Sequence, residues 1–219
     1  MATAQEVLES ARTHLNDDAS LHWNDQDLMP KLKEAHKELQ SKLFRAGVPV
    51  IKAVTTVLSV TAGVVDLNGV ANYPADIVEP IWLKEREVGQ SEKDFVDMDE
   101  VNFIPQIQQQ MSLMYWCWMG EHILLLGATT NREVKMRYNK TITVPTVLTD
   151  TIGFLFGELY MGPRVAALAM ISVGNRAAAI LLNEEAEGKL ETIIGANVKG
   201  MQNLPVRRRP YRPRRSWMY

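Results

Sequence analysis

The sequence is short of the features that identify secreted, membrane-spanning or disulfide-bonded proteins. Cys117 is the only cysteine among its 219 residues, which excludes an internal disulfide and a zinc site built from thiolates. A reducing site of synthesis is therefore expected. The longest strictly apolar run, Val165 to Ile171, is far shorter than the ~20 residues of a membrane helix. The start of the sequence has no basic region followed by an apolar one, so neither a secretion signal nor a membrane partner is expected.

Patterns typical of catalysis are scarce as well. The sequence has neither a Gly-x-Ser-x-Gly elbow nor a phosphate-binding loop. Glu121 and Glu158 are the one conceivable acid/base pair, and nothing in the sequence positions them. We therefore expect no enzyme activity, no metal and no cofactor. The histidines are scattered, without a carboxylate at metal-ligand spacing: His14, His22, His36 and His122.

The composition is that of a folded protein. Hydrophobic residues make up 46% of the sequence and charged residues 23%, both ordinary for globular domains. The length suits one large domain or two small ones. Disorder is therefore not expected for the bulk of the sequence.

Two amphipathic helices are predicted at the start. Thr3 and Glu6 are spaced as a capping box, and the first helix runs to about Leu15. Asn24 is placed to cap a second helix that ends near Arg45. Four nearby aspartates match no calcium-loop spacing and are expected to cap the helix start: Asp17, Asp18, Asp25 and Asp27.

The middle of the sequence is rich in β-formers. We expect residues 54–60 and 64–67 to form one hairpin, and residues 122–126 and 134–138 to form another. Pro80 interrupts the third strand and predicts an edge or a bulge. Residues 88–110 are expected to be a polar loop with a short helical turn. The cluster from Tyr115 to Trp118 favours buried core over a base-stacking surface, because no basic residue interleaves it. Cys117 lies between tryptophans, which predicts an inert buried thiol. The predicted strands are 54–60, 64–67, 77–86, 114–118, 122–126 and 134–138.

Helices return in the last third. Pro163 is expected near the first position of a helix, as Pro30 is expected near the start of the second helix, because a proline there loses no intrahelical bond. Gly174 marks a break, and a further helix follows from Arg176 to about Lys199. Prolines and arginines preclude a helix beyond residue 200, where we expect an extended arm.

The predicted fold class is α+β. The N-terminal and C-terminal helix pairs form a four-helix bundle, because neither pair can bury its apolar stripe alone. An antiparallel β-rich segment is inserted between them, and an extended basic C-terminal arm follows. The predicted units are residues 1–47 with 150–200, residues 48–149, and residues 201–219.

Charge is distributed unevenly along the sequence. The whole chain carries a net charge of −2, while the stretch from Arg207 to Arg215 holds six arginines and carries +6, so the remaining residues carry −8. Such an arm can bind an acidic protein surface or nucleic acid, or it can be a solvated tail; the proline spacing favours protein docking slightly. The acidic body would repel DNA over most of its area.

Short motifs spread along nearly the whole sequence carry a family resemblance. The N-terminal motifs are Ala11-Arg12 through Leu15-Asn16-Asp17, Trp23-Asn24-Asp25, and the helix with Leu32 to Ala35 and Leu39. In the middle they are Trp118 to Gly120, Ile123 to Leu126, and Val134 to Tyr138, and near the end they are Leu190 to Val198, Gln202, Pro205, Arg207 to Arg209, Pro210 and Tyr211. Together these motifs resemble head-to-tail adaptor (connector) proteins of tailed bacteriophages, and the middle group is similar to the β segment of podovirus-type tubular adaptors. The Gly174 break and the 88–110 loop depart from the family pattern.

The resemblance implies a noncatalytic virion component of the neck or tail, made in the cytoplasm of a bacterial host. It implies a ring of about twelve subunits beneath the portal protein, extending the DNA-exit channel and holding a tail or nozzle protein. DNA passes through the ring without specific recognition. The alternatives are a nucleic-acid-binding protein acting through the arginine-rich tail, or another ring-forming tail component such as a tube or terminator. The expected portal-docking residues are Arg207, Arg208, Arg209, Pro210, Tyr211, Arg212, Pro213, Arg214, Arg215 and Trp217.

Overall fold

A computed structural model describes residues 1–17 and 19–199, and within them the fold is α+β. The described part holds four α-helices and eight strands. The helices are α1 (Ala4–Leu15), α2 (Asp25–Arg45), α3 (Gly157–Ser172) and α4 (Arg176–Lys199). The strands are β1 (Lys52–Val54), β2 (Leu58–Val60), β3 (Ile77–Glu87), β4 (Val96–Asp97), β5 (Asp99–Glu100), β6 (Tyr115–Met119), β7 (His122–Leu125) and β8 (Arg132–Lys140).

The N-terminal helices form as predicted. Thr3 and Glu6 make the capping box of α1, each side chain bonding the other residue's backbone N–H. Asn24 caps α2 by accepting from the N–H of Asp27 at 2.9 Å. The expectation that the nearby aspartates also cap this helix is wrong for Asp17. Its carboxylate accepts backbone N–H groups of residues 21–23 and so fastens the α1–α2 loop, while Asp18 lies outside the described residues.

All four helices contribute to one hydrophobic cluster, drawn from residues 4–51 and 152–193. Helix α3 packs against α1, α2 and α4, so it is the element that joins the N-terminal and C-terminal helices. A second cluster, drawn from residues 58–138, lies in the β region. The two clusters contain different residues, as expected for an α+β chain in which helices and strands are segregated.

Backbone hydrogen bonds fasten the start of the chain to the segment that precedes α3. The N–H of Ala4 donates to Asp150 O at 2.8 Å, and the N–H of Ile152 donates to Ala2 O at 3.0 Å. Thr3 and Thr151 form an antiparallel bridge between them. The first turn of α1 is therefore positioned by residues nearly 150 positions later in the sequence.

Strand β8 organises the larger sheet. Strands β1 and β2 pair with successive parts of one edge of β8, β3 pairs with the other edge, and β4 pairs with β3, all antiparallel. The predicted bulge at Pro80 is confirmed, because the β3–β8 register shifts on both sides of that residue. In the smaller sheet β6 pairs with β7, while β5 is parallel to β6 and departs from the expected antiparallel pattern.

Both predicted hairpins are wrong. Residues 52–54 and 58–60 pair with β8 rather than with residues 64–67, which form no strand. Strand β7 pairs with β6 across a turn at Gly120, whose φ of 69° suits glycine, and β8 belongs to the other sheet. The nine-residue edge of β8 can accept two short strands from distant positions, and such long-range pairing leaves no local signal in the sequence. The predicted 88–110 loop has its helical turn at Glu92–Asp94 but also contains β4 and β5.

The two helix prolines lie deeper inside their helices than predicted. Pro30 is the sixth residue of α2, and Pro163 is the seventh of α3, because α3 begins at Gly157 rather than next to Pro163. Each proline removes one intrahelical bond. Pro163 is buried, so packing compensates for the loss in α3, whereas Pro30 is exposed within the second turn of α2.

Gly162 allows α1 and α3 to approach closely. A Cβ atom at this position would lie 2.3 Å from Ser10 Oγ and 3.1 Å from Ser10 Cβ. Gly188 on α4 has nothing within 4 Å of its corresponding position. Close packing therefore requires a glycine at position 162, whereas position 188 has no steric constraint.

Replacing Gly162 by methionine is expected to lower the free energy of unfolding by about 1–3 kcal/mol, because the added side chain must push α1 from α3. The same change at Gly188 should be neutral or stabilising by up to about 1 kcal/mol, since methionine is the better helix former. Urea denaturation of both variants measures the difference. Equal effects at the two positions would contradict the close-approach role of Gly162.

His36 lies in the helical core with one ring nitrogen unpaired. Its Nε2 donates to Ile152 O at 3.0 Å, its ring centroid lies 4.9 Å from that of Phe154, and its buried Nδ1 has no hydrogen-bond partner among the described residues. Burial lowers the pKa of His36 from its usual 6.5, although the bond to Ile152 acts in the opposite direction. The folded state therefore holds the neutral imidazole.

The depressed pKa of His36 makes stability dependent on pH. Below about pH 6.5 the unfolded chain binds a proton that the folded chain does not, so the free energy of unfolding should fall as the pH is lowered from 7 towards 5. The melting temperature, measured by thermal unfolding across this pH range, should depend less steeply on pH in His36→Phe than in wild type. The control is His22→Asn, a change at an exposed residue, which should keep the wild-type slope.

Candidate functional site

The portal-docking residues predicted from the sequence, from Arg207 to Trp217, lie outside the described residues. The chain enters that segment from α4, which ends at Lys199. Contacts between the helices show at which end of the helical region this occurs. Glu38 and Lys42 of α2 contact Arg164 and Tyr160 of α3 respectively, so these two helices are antiparallel.

Helix α4 runs parallel to α2. Lys42 pairs with Glu187 of α4, and Arg164 joins Glu38 to Asn183, so residue numbers on α2 and α4 increase in the same direction. Helix α4 also contacts the short 3-10 turn at Pro49–Ile51, which follows α2 and leads directly into β1. The C-terminal half of α4 is therefore beside the junction with the β region, and the α3–α4 turn is at the opposite end.

A network of charged side chains fastens α2, α3 and α4 together. The guanidinium of Arg164 binds both carboxylate oxygens of Glu38, at 2.6 and 2.7 Å, and donates to Asn183 Oδ1 at 2.7 Å. One turn away, Lys42 donates to Tyr160 Oη at 3.0 Å and pairs with Glu187. Bidentate arginine–carboxylate pairs of this kind fix orientation as well as distance.

The same network affects the titration of Glu38. The hydrogen bonds from Arg164 hold the pKa of the Glu38 carboxyl below its usual 4.5, more than offsetting the effect of partial burial. The ion pair is therefore intact at neutral pH and is lost in strong acid. The side chains of Glu38, Lys42, Tyr160, Arg164, Asn183 and Glu187 therefore bind one another and hold the three helices together. We call this cluster the charged clamp.

Apolar side chains are exposed at both ends of α3. The start patch consists of Leu155, Phe156 and Leu159, of which Phe156 is 47% exposed. The tip groove lies between α3 and α4 near their connecting turn, has a volume of about 320 Å³ and is lined by Arg164, Ile171, Arg176, Ala179, Ile180 and Asn183. Ile180 is 59% exposed. Contiguous exposed apolar surface is typical of interaction sites.

The two glutamates considered for catalysis lie in different elements of the fold. Glu121 lies in the β6–β7 turn and Glu158 in the first turn of α3. Across residues 1–17 and 19–199, no group of three or more histidine, cysteine or acidic side chains is arranged to hold a metal ion. Cys117 is buried as predicted, and its thiol donates to Asn102 O at 3.2 Å. Trp116 is buried in the β-region cluster, which confirms the core interpretation for that residue.

The helices of the described part include none that is both long enough and apolar enough to cross a membrane.

The comparison that identifies the chain covers nearly all of it. The SU10 adaptor protein family matches residues 2–214. The chain belongs to this family. The resemblance to phage head-to-tail adaptors is thereby confirmed, and the adaptor is assigned to a family of structural bacteriophage proteins. The adaptor has no match among curated proteins.

Sequence reasoning missed both the charged clamp and the start patch of the adaptor. Glu38, Arg164 and Asn183 are far apart in sequence, and no local spacing connects them. The start patch had a local signal, since the run Phe154-Leu155-Phe156 is more apolar than a buried turn requires. Placing the start of α3 at Pro163 left this run unassigned.

The clamp predicts a specific loss of stability. Arg164→Lys keeps the charge but cannot bind Glu38 and Asn183 together, so the free energy of unfolding should fall by about 1–3 kcal/mol in urea denaturation. Arg176→Lys, on an exposed arginine at the same groove, should change it by less than about 0.5 kcal/mol. A Glu38→Gln, Arg164→Lys double variant should lose less than the sum of the single losses, because the two side chains interact. Strict additivity would contradict the clamp.

Proposed function

We propose that this adaptor forms a ring beneath the portal of a tailed bacteriophage, extends the DNA-exit channel and holds a tail or nozzle protein. The observation that carries the proposal is the match to the SU10 adaptor protein family over residues 2–214, which includes Arg207–Arg209 and most of the arginine-rich segment. A ring of about twelve subunits would suit a dodecameric portal. The proposed location is the neck or tail of the virion, after synthesis in the bacterial cytoplasm.

The charge distribution supports a channel through which DNA slides. With the arginine-rich segment set apart, the remaining residues carry −8. Asp94, Asp99 and Glu100 are exposed at the edge of the β region. Fixed cations facing the lumen would bind phosphates and slow DNA, whereas an acidic wall leaves DNA unbound. The adaptor therefore needs no specific recognition of the genome.

The arginine-rich segment is proposed to dock on the portal. Guanidinium groups can each form two parallel hydrogen bonds to a carboxylate, which gives directional binding to an acidic protein crevice. Tyr211 and Trp217 would add apolar anchors. Helix α4 ends at Lys199 beside the β-region junction, so the described part of the chain ends there rather than at the α3–α4 turn.

Two separate hydrophobic clusters support the proposed domain organisation. The shared hydrophobic cluster of residues 4–51 and 152–193 supports a four-helix bundle built from the two helix pairs, and the separate cluster of residues 58–138 supports an inserted β unit. We propose residues 1–47 with 150–200, 48–149, and 201–219 as the three units. The proposed role requires no catalytic group, and none is assigned.

The docking role of the segment predicts the outcome of mixing the adaptor with its cognate portal. Class averages from electron microscopy should show an added ring of density with the full-length chain and none with a chain ending at Leu204. A ring in both mixtures would keep the adaptor function and move the portal contact to the body. If neither chain bound the portal while the full-length chain bound DNA, the nucleic-acid-binding alternative would replace the proposal.

A charge-conserving variant separates directional docking from general attraction. Changing all six arginines between residues 207 and 215 to lysine preserves the positive charge but removes bidentate bonding. Portal binding should weaken by about 10-fold or more, whereas weak DNA binding, which follows charge, should be nearly unchanged and fall steeply with salt. Equal loss of both would count against docking through guanidinium groups.

A further inference from the structure

The start patch and the tip groove are different surfaces at opposite ends of one helix. Phe156 and Ile171 are separated along α3 by about 22 Å at 1.5 Å per residue. A two-fold dimer buries the same surface on both partners, whereas a ring joins two different surfaces of neighbouring copies. Two unlike apolar surfaces on one chain therefore suit head-to-tail association.

Phe156 has a conformation that the fold itself does not explain. It precedes α3 with φ 60° and ψ 14°, in the left-handed region, and its side chain makes no capping bond. This backbone conformation costs about 1–2 kcal/mol for a residue other than glycine. The residue is nevertheless 47% exposed and lies outside the helical cluster. An exposed aromatic residue in a strained conformation is typical of an interaction site.

The tip groove has the chemistry to receive an aromatic side chain. Ile171, Ala179 and Ile180 provide an aliphatic lining, and the volume of about 320 Å³ exceeds that of a phenylalanine side chain. Arg176, which also lines the groove, forms no side-chain hydrogen bond or ion pair with residues 1–17 or 19–199. A guanidinium free to stack on an aromatic face adds to the binding.

The charges beside the two surfaces are complementary. Glu158 lies in the first turn of α3 between Phe156 and Leu159, and its side chain has no ion pair within the described residues. One of its carboxylate oxygens is buried and accepts no hydrogen bond there. Arg176 at the groove offers the opposite charge. Opposite charges on unlike surfaces favour the head-to-tail pairing over pairing of either surface with itself.

We propose that copies of this chain associate head to tail, the start patch of one seated in the tip groove of the next with Glu158 facing Arg176. This deepens the ring proposed above by naming its subunit contact, and it rests on that proposal. The residues of this contact, Leu155 to Ile180, do not overlap the arginine-rich segment, so either surface can be substituted while the sequence of the other is kept.

Cysteine cross-linking tests the pairing directly. Phe156→Cys and Ile180→Cys variants, mixed and treated with a short bismaleimide, should give a cross-linked dimer that neither variant gives alone. The double variant should give a ladder of higher oligomers. Wild type, which has only the buried Cys117, is the background control. Cross-linking of each variant with itself, or none in the mixture, would overturn the proposal.

Substitutions at the patch test its energetic role. Phe156→Gly should weaken self-association by about 30-fold or more, as expected for an aromatic anchor, and yet raise the melting temperature, since glycine relieves the positive φ. The matched control is Phe103→Ala, a phenylalanine 76% exposed in the 88–110 loop, which should leave association unchanged. Sedimentation and thermal melting give the two readouts. A Phe156→Gly chain that assembles as wild type does would refute the contact.

Reversing the charges gives a third test. Glu158→Arg and Arg176→Glu should each weaken association by about 10-fold, and the double variant should recover most of it. All measurements are repeated on rings bound to the portal. Portal-bound rings without the predicted cross-link would leave the adaptor function standing and overturn the contact. Cross-linked oligomers that fail to bind the portal would leave the contact standing and overturn the adaptor function. If the Glu158 or Arg176 variants lost portal binding while still self-associating, the tip groove would be assigned to portal binding instead.

Discussion

The approach of α1 to α3 at Gly162 is the constraint on which the helical region depends. With Ser10 against the glycine, α3 is buried on most sides and can contact α1, α2 and α4 together. That central position brings Tyr160 and Arg164 within reach of α2 and Asn183 within reach of Arg164. The apolar contacts determine how closely the helices pack, and the charged clamp determines their register.

The charged clamp adds specificity that apolar packing alone lacks. Burial of leucine and alanine side chains is non-directional and does not by itself fix the orientation of a contact. The fork of Arg164 does not, because its bonds to Glu38 and Asn183 are lost together when either neighbour moves. The parallel course of α4 beside α2 follows from this arrangement. It also sets the end of the helical region at which α4 reaches Lys199.

Local signals in the sequence were sufficient for much of the fold. The capping box of Thr3 and Glu6, the cap at Asn24, and the limits of α2 and α4 were all predictable, because each depends on residues within a few positions of one another. The pairing of β1 and β2 with β8 was not, since it depends on residues some 80 positions apart. Pro163 was misleading because tertiary packing outweighs its cost inside a helix.

The sequence was likewise sufficient for only part of the candidate site. The run of arginines is visible directly in the sequence, and the family resemblance was carried by short motifs spread along the chain. The clamp and the tip groove exist only after α2, α3 and α4 are assembled, so their members share no sequence pattern. Phe156 was the exception, with a local signal in its apolar neighbours. Its left-handed backbone, which makes the residue informative, becomes visible only in three dimensions.

The pairing of residues 2–4 with residues 150–152 has a consequence for how the protein is made. During synthesis α1 emerges well before α3, yet the backbone partners of its first turn and the α3 surface that covers it come about 150 residues later. Before α3 has left the ribosome, only the part of α1 that contacts α2 can be buried. Folding of the helical region is therefore dominated by contacts of long sequence separation, which slows it. A chain interrupted before α3 would lack a completed helical core, because α3 and α4 supply about a third of the buried residues described in it.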